Sequence, residues 1–356
     1  MTDSAAQPDG SAAIHGVEFR GRGAEYFRIW IVNLALTLLT LGLYSAWAKV
    51  RTQRYFYGNT ILAGHSFEYH AKPWRILIGR AIALTLFVGY TLSVVFFPFT
   101  FGLWFLILAA AMPWLANSSI RFNARNTSWR NVRFDFSGTY FEAFMAYVVW
   151  TAAALALFPL APLTRRVHDY FYINHHRFGG RSFTTDFPGR RIYVIYLFGF
   201  ILIVAMVVAA LAIAGALVEL HIHKLLGGVT IPLGPNDFAP IAFVVFGLGS
   251  LFVGSFITTL VTNLSIGNTT LEGGFKLVSR ASGLRVAWIV LSNTFLILLT
   301  LGLYYPFARV RLARYRMRKY AVRGDGDLDA FASEALTAQN AIGEEIAGFF
   351  DFGFGL

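Results

Sequence analysis

Cysteine is absent from the 356 residues, which excludes disulfides, thiolate metal sites, iron–sulfur clusters and cysteine nucleophiles together. Charge is scarce as well. Only 14% of the residues are Asp, Glu, Lys or Arg, where a soluble domain carries about a quarter. Deep inside the long apolar segments there is no ionisable side chain; Arg80, Glu142 and Glu219 stand near segment ends. Buried charge usually marks ion sites, proton relays and voltage sensors, so proton-coupled or voltage-driven transport is disfavoured. No Ser-His-Asp order, phosphate-cradling glycine loop or convergent carboxylate pair is recognisable, so the chain is expected not to be an enzyme and to carry no cofactor. Glu219, His221 and His223 read Glu-x-His-x-His, but no fourth ligand is visible and no metal is expected.

What the chain has in abundance is apolar length. Hydrophobic residues make up 56%, and runs near the ~20 residues that a bilayer-crossing helix needs recur along most of the sequence. Seven segments stand out: Ile29–Trp47, Ile76–Phe97, Phe101–Leu115, Phe141–Leu163, Ile192–Val218, Phe238–Leu264 and Val286–Phe307. The second and third meet at Pro98 and read as a helical hairpin. The expectation is an all-α integral membrane protein. Residues 1–16 form a polar, disordered lead-in without the apolar core of a signal peptide. Residues 17–323 form the membrane domain, and 324–356 an acidic tail whose Leu328, Phe331, Ala335, Ala338, Ile342 and Ile346 recur at helical spacing.

Two of the segments are near copies. Asn33 to Tyr55 and Asn293 to Tyr315 are identical at 14 of 23 positions, and shared apolar composition alone would not reproduce Thr-Leu-Gly-Leu-Tyr together with Arg51, Arg54 and Tyr55. A degenerate third copy runs from Phe158 to Tyr172. Small polar-aromatic units at Asn59–Tyr69, Asn126–Gly138, Asn174–Phe183 and Asn268–Phe275 alternate apolar residues with Asn and Gly, as short strands and turns do. Small β-like juxtamembrane pieces are expected there.

The 30 Lys and Arg residues test the topology. Seven simple crossings would divide them 18 to 12 between the two sides, a weak bias under the positive-inside rule. If the first, fourth and seventh segments break near Gly42, Pro159 and Gly302 and return, the division is 29 to 1. This favours four spans plus three re-entrant or interfacial hairpins, with seven spans as the alternative. Both arrangements put the C-terminus in the cytoplasm.

Phe27-Arg28-Ile29-Trp30, Thr40-Leu41-Gly42-Leu43-Tyr44-Ser45-Ala46-Trp47-Ala48-Lys49-Val50-Arg51 and Tyr55-Phe56-Tyr57-Gly58-Asn59-Thr60 resemble the bacterial YjgN-like inner-membrane proteins. The resemblance covers about residues 17 to 323. It implies a multi-pass protein of the bacterial inner membrane with an uncharacterised role, and it supplies no catalytic residue.

Candidate positions follow from the matched segments. Asn33, Thr40 and Gly42, with Asn293, Thr300 and Gly302, mark paired intramembrane polar groups and helix breaks, which in repeat-built transporters flank substrate sites and elsewhere are simple turns. Trp47, Lys49, Arg51, Arg54, Arg309, Arg311 and Arg314 interleave cations with aromatics directly after apolar segments, where they suit anionic lipid head groups and not nucleic acid. Two functions are compatible with this pattern: a transport or permeation protein, and a non-transport scaffold that interacts with anionic lipid. No protein partner or oligomeric state follows. A single cysteine at Ser11, clean in a cysteine-free chain, should resist an impermeant thiol reagent added from the periplasm if the three segments return. Labelling there selects seven crossings.

Overall fold

The computed structural model describes residues 13–219, 235–324 and 326–349. Strand β1 (Ala13–Phe19) leads into helices α1 (Gly23–Leu39) and α2 (Ser45–Gly58), followed by the hairpin β2 (Thr60–Leu62) and β3 (His65–Tyr69). Helices α3 (Pro73–Phe96) and α4 (Phe101–Arg125) precede β4 (Thr127–Trp129) and β5 (Val132–Phe136). The next helical excursion is irregular: α5 (Tyr140–Phe144), a π-helical turn at Met145–Val149, α6 (Trp150–Ala156) and α7 (Ala161–Asn174), then β6 (His176–Phe178) and β7 (Arg181–Thr185). Helices α8 (Gly189–Glu219) and α9 (Pro235–Gly267) lead to β8 (Thr269–Leu271) and β9 (Phe275–Ser279). The last described elements are α10 (Gly283–Leu299), α11 (Tyr305–Met317), β10 (Tyr320–Gly324) and α12 (Leu328–Phe349).

The strands overturn the all-α expectation. They are not isolated juxtamembrane pieces but one closed, ten-stranded antiparallel barrel in the order β1-β10-β9-β8-β7-β6-β5-β4-β3-β2. Four tight hairpins supply eight strands. Their turns sit in the left-handed region at Ala63 and Gly64, Arg130 and Asn131, Gly179 and Gly180, and Gly273 and Gly274, the backbone that matches the twist of two paired strands. β1 and β10, from opposite ends of the chain, close the ring by pairing Ala13 with Gly324 through Gly16 with Ala321. Strands of 3 to 7 residues are shorter than the ~9–11 needed to cross a bilayer. The barrel therefore lies outside the membrane.

Period-two alternation fills its interior. One inward cross-strand pair sits at each joint between neighbouring hairpins: Val17 with Leu62, Phe67 with Trp129, Phe134 with Phe178, Phe183 with Leu271, and Leu277 with Val322. All ten belong to a single apolar cluster. Each fully buried side chain of this size stabilises the fold by roughly 1.5–3 kcal/mol. Helix α12 joins the same cluster through Leu328, Phe331, Ala332 and Ala335. Phe331 packs edge-on to Phe275 at 4.6 Å and stacks on Phe178 at 6.1 Å. Arg181 bridges to Glu334 at 2.8 Å and Arg130 pairs with Asp329. Because these partners lie at or beside the hairpin turns, α12 caps the barrel mouth farthest from the helices.

Barrel closure also decides topology. Every strand is in one ring, so each of the five helical excursions begins and ends on the same side of the membrane. An odd number of crossings would put β1 and β10 on opposite faces, which their register forbids; the seven-span alternative is thereby overturned. Among the described residues four helical stretches are long and apolar enough to cross, Pro73–Phe96, Pro98–Arg125, Gly189–Ala212 and Phe243–Gly267. α1 and α10 have 17 residues each, a rise of about 25 Å against a hydrocarbon core of about 30 Å. Cysteines placed at Ile14 and Arg323, direct partners across the closing pair, should crosslink on mild oxidation of the full chain. Failure of that crosslink while a matched pair at Ser128 and Arg133 forms would show an open sheet.

Candidate functional site

The most regular polar feature is a set of clamps where the helices meet the barrel. After the second strand of each of the four hairpins, and after β1, the backbone turns into a helix and leaves carbonyls without sheet partners, a costly state when buried. A side chain from the helix before that hairpin, or from α11 in the case of β1, donates to these carbonyls. Arg54 donates from Nε to Tyr69 O at 3.3 Å and from Nη2 to Ala71 O at 3.5 Å. Arg121 donates to Phe136 O at 3.2 Å and Gly138 O at 2.8 Å. Tyr170 donates to Phe187 O at 3.1 Å, joined by Arg166 Nε at 3.0 Å. Asn263 donates to Ala281 O at 2.7 Å, and Arg314 to Gly21 O at 2.8 Å. All five stand at the same distance in sequence before the first strand of their hairpin or, for Arg314, before β10.

A second lock recurs at the helix ends. Asn59, Asn126 and Asn268 each donate Nδ2 to the carbonyl four residues back, at 2.8, 2.7 and 2.7 Å. His175 does the same through Nδ1 at 2.9 Å; the ring takes over the amide's donor role. Its Nε2 lies 3.1 Å from Glu142, whose carboxyl is held below the usual range by hydrogen bonds from the Thr139 hydroxyl and backbone N–H and by His175. Burial pushes His168 and His176 down and drives the Tyr69 phenol up to about 12. Thr164 and His168 bond Trp150 O and Ala146 O at 2.9 and 2.8 Å, which ties α7 to the π-helical turn and α6.

The paired breaks have one shared geometry. Gly42 N–H donates to Thr37 O at 2.7 Å and Leu41 N–H to Leu38 O at 3.2 Å; Gly302 and Leu301 repeat both bonds at the same lengths. This is a Schellman C-cap. The Thr40 hydroxyl donates to Leu36 O and accepts from Tyr44 N–H, and Thr300 does likewise with Leu296 and Tyr304. Leu41 and Leu301 project from the two tips with exposures of 95% and 94%.

Asn33 and Asn293 tie the two arms of their hairpins together, Nδ2 donating to Ala48 O at 3.5 Å and to Ala308 O at 3.2 Å. They differ at the other amide atom. Arg311 donates to Asn293 Oδ1 at 3.0 Å and to Ser292 at 2.9 Å, whereas Asn33 Oδ1 accepts no hydrogen bond. Beside Asn33 a groove of about 410 Å³ lies between α1, α2 and α11, with Lys49, Gln53 and Arg309 in its wall. Arg309 donates to the Tyr26 hydroxyl at 3.1 Å and lies over the Phe56 ring at 4.7 Å. A second groove, of about 820 Å³, lies between the start of α8 and the end of α9, with Arg190 and Arg191 above Val194, Ile195, Leu260 and Leu264. Neither wall contains a carboxylate.

The lipid-contact candidates thus divide. Lys49 and Arg309 line a groove, and Trp47 sits among Tyr44 and Trp74 at ring distances of 6.1 and 5.9 Å. Arg51 is exposed. Arg54, Arg311 and Arg314 spend donors on the protein itself. Sequence reasoning missed Arg121 and Asn263 as clamps, although their fixed offset from Asn126 and Asn268 was available. It also missed a polar cluster in which Arg165 pairs with Asp169 at 3.0 Å and Ser265 donates to Asp169 at 2.5 Å. His221 and His223 lie outside the described residues, and among those described no group of metal-ligating side chains occurs.

The family model described as bacterial protein of unknown function, DUF898, matches residues 14–349. The chain belongs to this family. Its similarity to the inner membrane protein YjgN of Salmonella typhimurium (strain LT2) is 24% identity over 361 residues, covering 88% of this chain and 89% of that one. With the inner membrane protein YjgN of Escherichia coli K12 it shares 30% identity over 124 residues, 35% of this chain and 31% of the other. No solved structure matches. This DUF898 chain is a bacterial inner-membrane protein, consistent with its long apolar helices. Within it, Arg121→Leu should lower unfolding stability by about 1–3 kcal/mol by removing the side-chain donor to Phe136 O and one of the two donors to Gly138 O, the other being Asn117 Nδ2 at 2.8 Å. Denaturant unfolding in detergent checks this, with no loss of stability as the contrary result.

Proposed function

We propose that this DUF898 protein is a membrane scaffold that gathers anionic phospholipid around a cytoplasmic barrel, without transporting a solute. One observation carries the reading: the two grooves are lateral, each has two cations and no carboxylate in its wall, and both adjoin helices that enter the membrane. Charge-complementary recognition of a lipid phosphate needs such a place, where guanidinium or ammonium groups stand beside apolar surface at head-group depth.

The side follows from charge. Four crossings and three excursions that dip into one leaflet and return leave 29 of the 30 Lys and Arg residues with the barrel, which favours the cytoplasm for the barrel and for the C-terminus. The re-entrant hairpins take their shape from the Schellman turns and from the third excursion's Pro159. The recurring clamps and caps support a reading of the chain as five copies of one strand–helix unit.

Transport is the weaker reading. A permeation path along the barrel axis would have to pass ten apolar side chains and α12. Thr40, Gly42, Thr300 and Gly302 direct their polar groups into their own turns, so these two breaks present none of those groups to a substrate. Extraction of the protein in native membrane patches followed by lipid mass spectrometry should show anionic phospholipid enriched several-fold over the bulk membrane. The triple change Lys49→Ala, Arg190→Ala, Arg191→Ala should remove most of that enrichment, each cation contributing roughly 1 kcal/mol. A lipid shell equal to the bulk composition, or solute flux through the protein in liposomes, overturns the proposal.

A further inference from the structure

The groove between α1, α2 and α11 has a feature that charge alone does not explain. Its wall includes Asn33, which is 5% exposed and whose Oδ1 accepts no hydrogen bond. The chain contains its own control for this atom. Asn293 occupies the matching place in the other hairpin, makes the matching bond to the opposite arm, and has its Oδ1 satisfied by Arg311. Arg51 stands where Arg311 does, yet it makes no bond to Asn33, and it is exposed. A buried carbonyl oxygen without a donor is a costly state, and Asn33 lines a cavity large enough for a small ligand.

The rest of the wall limits what that ligand is. Lys49 and Arg309 suit an anionic group, and Ser45 and Gln53 add neutral polar atoms; Arg80 from α3 contacts the Ser45 hydroxyl. An amide oxygen accepts and cannot donate, so it repels a bare phosphate and attracts an O–H or N–H. We infer that this groove binds a phosphodiester whose head group also carries a hydrogen-bond donor, with Lys49 and Arg309 toward the phosphate and Asn33 Oδ1 accepting from the head group. The inference rests on the anionic-lipid reading above and narrows it to one groove and one head-group chemistry.

The test uses the full chain purified in detergent and examined by native mass spectrometry with two lipids of identical acyl chains and identical charge. Phosphatidylglycerol carries hydroxyl donors; phosphatidylmethanol carries none. The wild-type protein should retain phosphatidylglycerol at least fivefold more strongly. Asn33→Leu should bring the ratio close to one, and Lys49→Ala should weaken both lipids while keeping the ratio. If Asn33→Leu does not fold, the wild-type ratio and the Lys49→Ala result still decide. Equal retention of the two lipids by the wild-type protein, or an unchanged preference in folded Asn33→Leu, overturns donor recognition and leaves anionic-lipid binding standing. Retention of neither above a neutral lipid overturns both. Displacement of phosphatidylglycerol by free glycerophosphoglycerol at similar concentration would support the site and assign it a soluble phosphodiester; no displacement assigns it the lipid.

Discussion

Closure of the barrel is the constraint on which the rest of the molecule depends. A three-residue strand such as Thr60–Leu62 or Thr127–Trp129 cannot stand alone in water, since an isolated hairpin is marginal at best. Ten short strands become stable only when each pairs on both sides and all ten inward residues share one apolar interior. The ring also fixes where the chain must be after every excursion. Helices leave it and return to it five times, so the membrane topology is dictated by hydrogen-bond register outside the membrane as much as by hydropathy within it.

The junction between ring and helices has its own physical problem, and it is solved the same way five times. Carbonyls released by the sheet before the next helix begins need donors in a region where water is partly excluded. Arginine is suited to this because its planar fork reaches two carbonyls at once, as Arg121 does. Tyr170 and Asn263 do the same with a single donor. The cations nearest the membrane therefore serve two ends: some hold the frame, and others, Lys49, Arg190, Arg191 and Arg309, line the grooves between the helices.

Much of this frame was legible in the sequence because it rests on local periodicity. The apolar segments, the hairpin at Pro98 and the breaks at Gly42 and Gly302 depend on residues within one or two helical turns of each other. The four small polar-aromatic units likewise contain their own turn residues, such as Gly179 and Gly180. Their assembly was not legible. The partner of Phe67 is Trp129, and that of Phe183 is Leu271, each beyond an intervening helix pair, and β1 finds β10 at the other end of the chain. A short strand has no local mark that names its neighbour, and for that reason an all-α reading was the natural one.

The candidate residues divide along the same line. By itself the sequence determined membrane residence, the absence of cysteine chemistry and the place of the cationic-aromatic runs, since these follow from composition and from the spacing of neighbours along the chain. It also matched Asn33 to Asn293. Only the tertiary structure decided that Arg54 and Arg314 face carbonyls while Lys49 and Arg309 face a groove, and that one of two matched asparagines is satisfied and the other is not. Those outcomes depend on which helix packs beside which, and that is set by closure of the ring between residues nearly the whole chain apart.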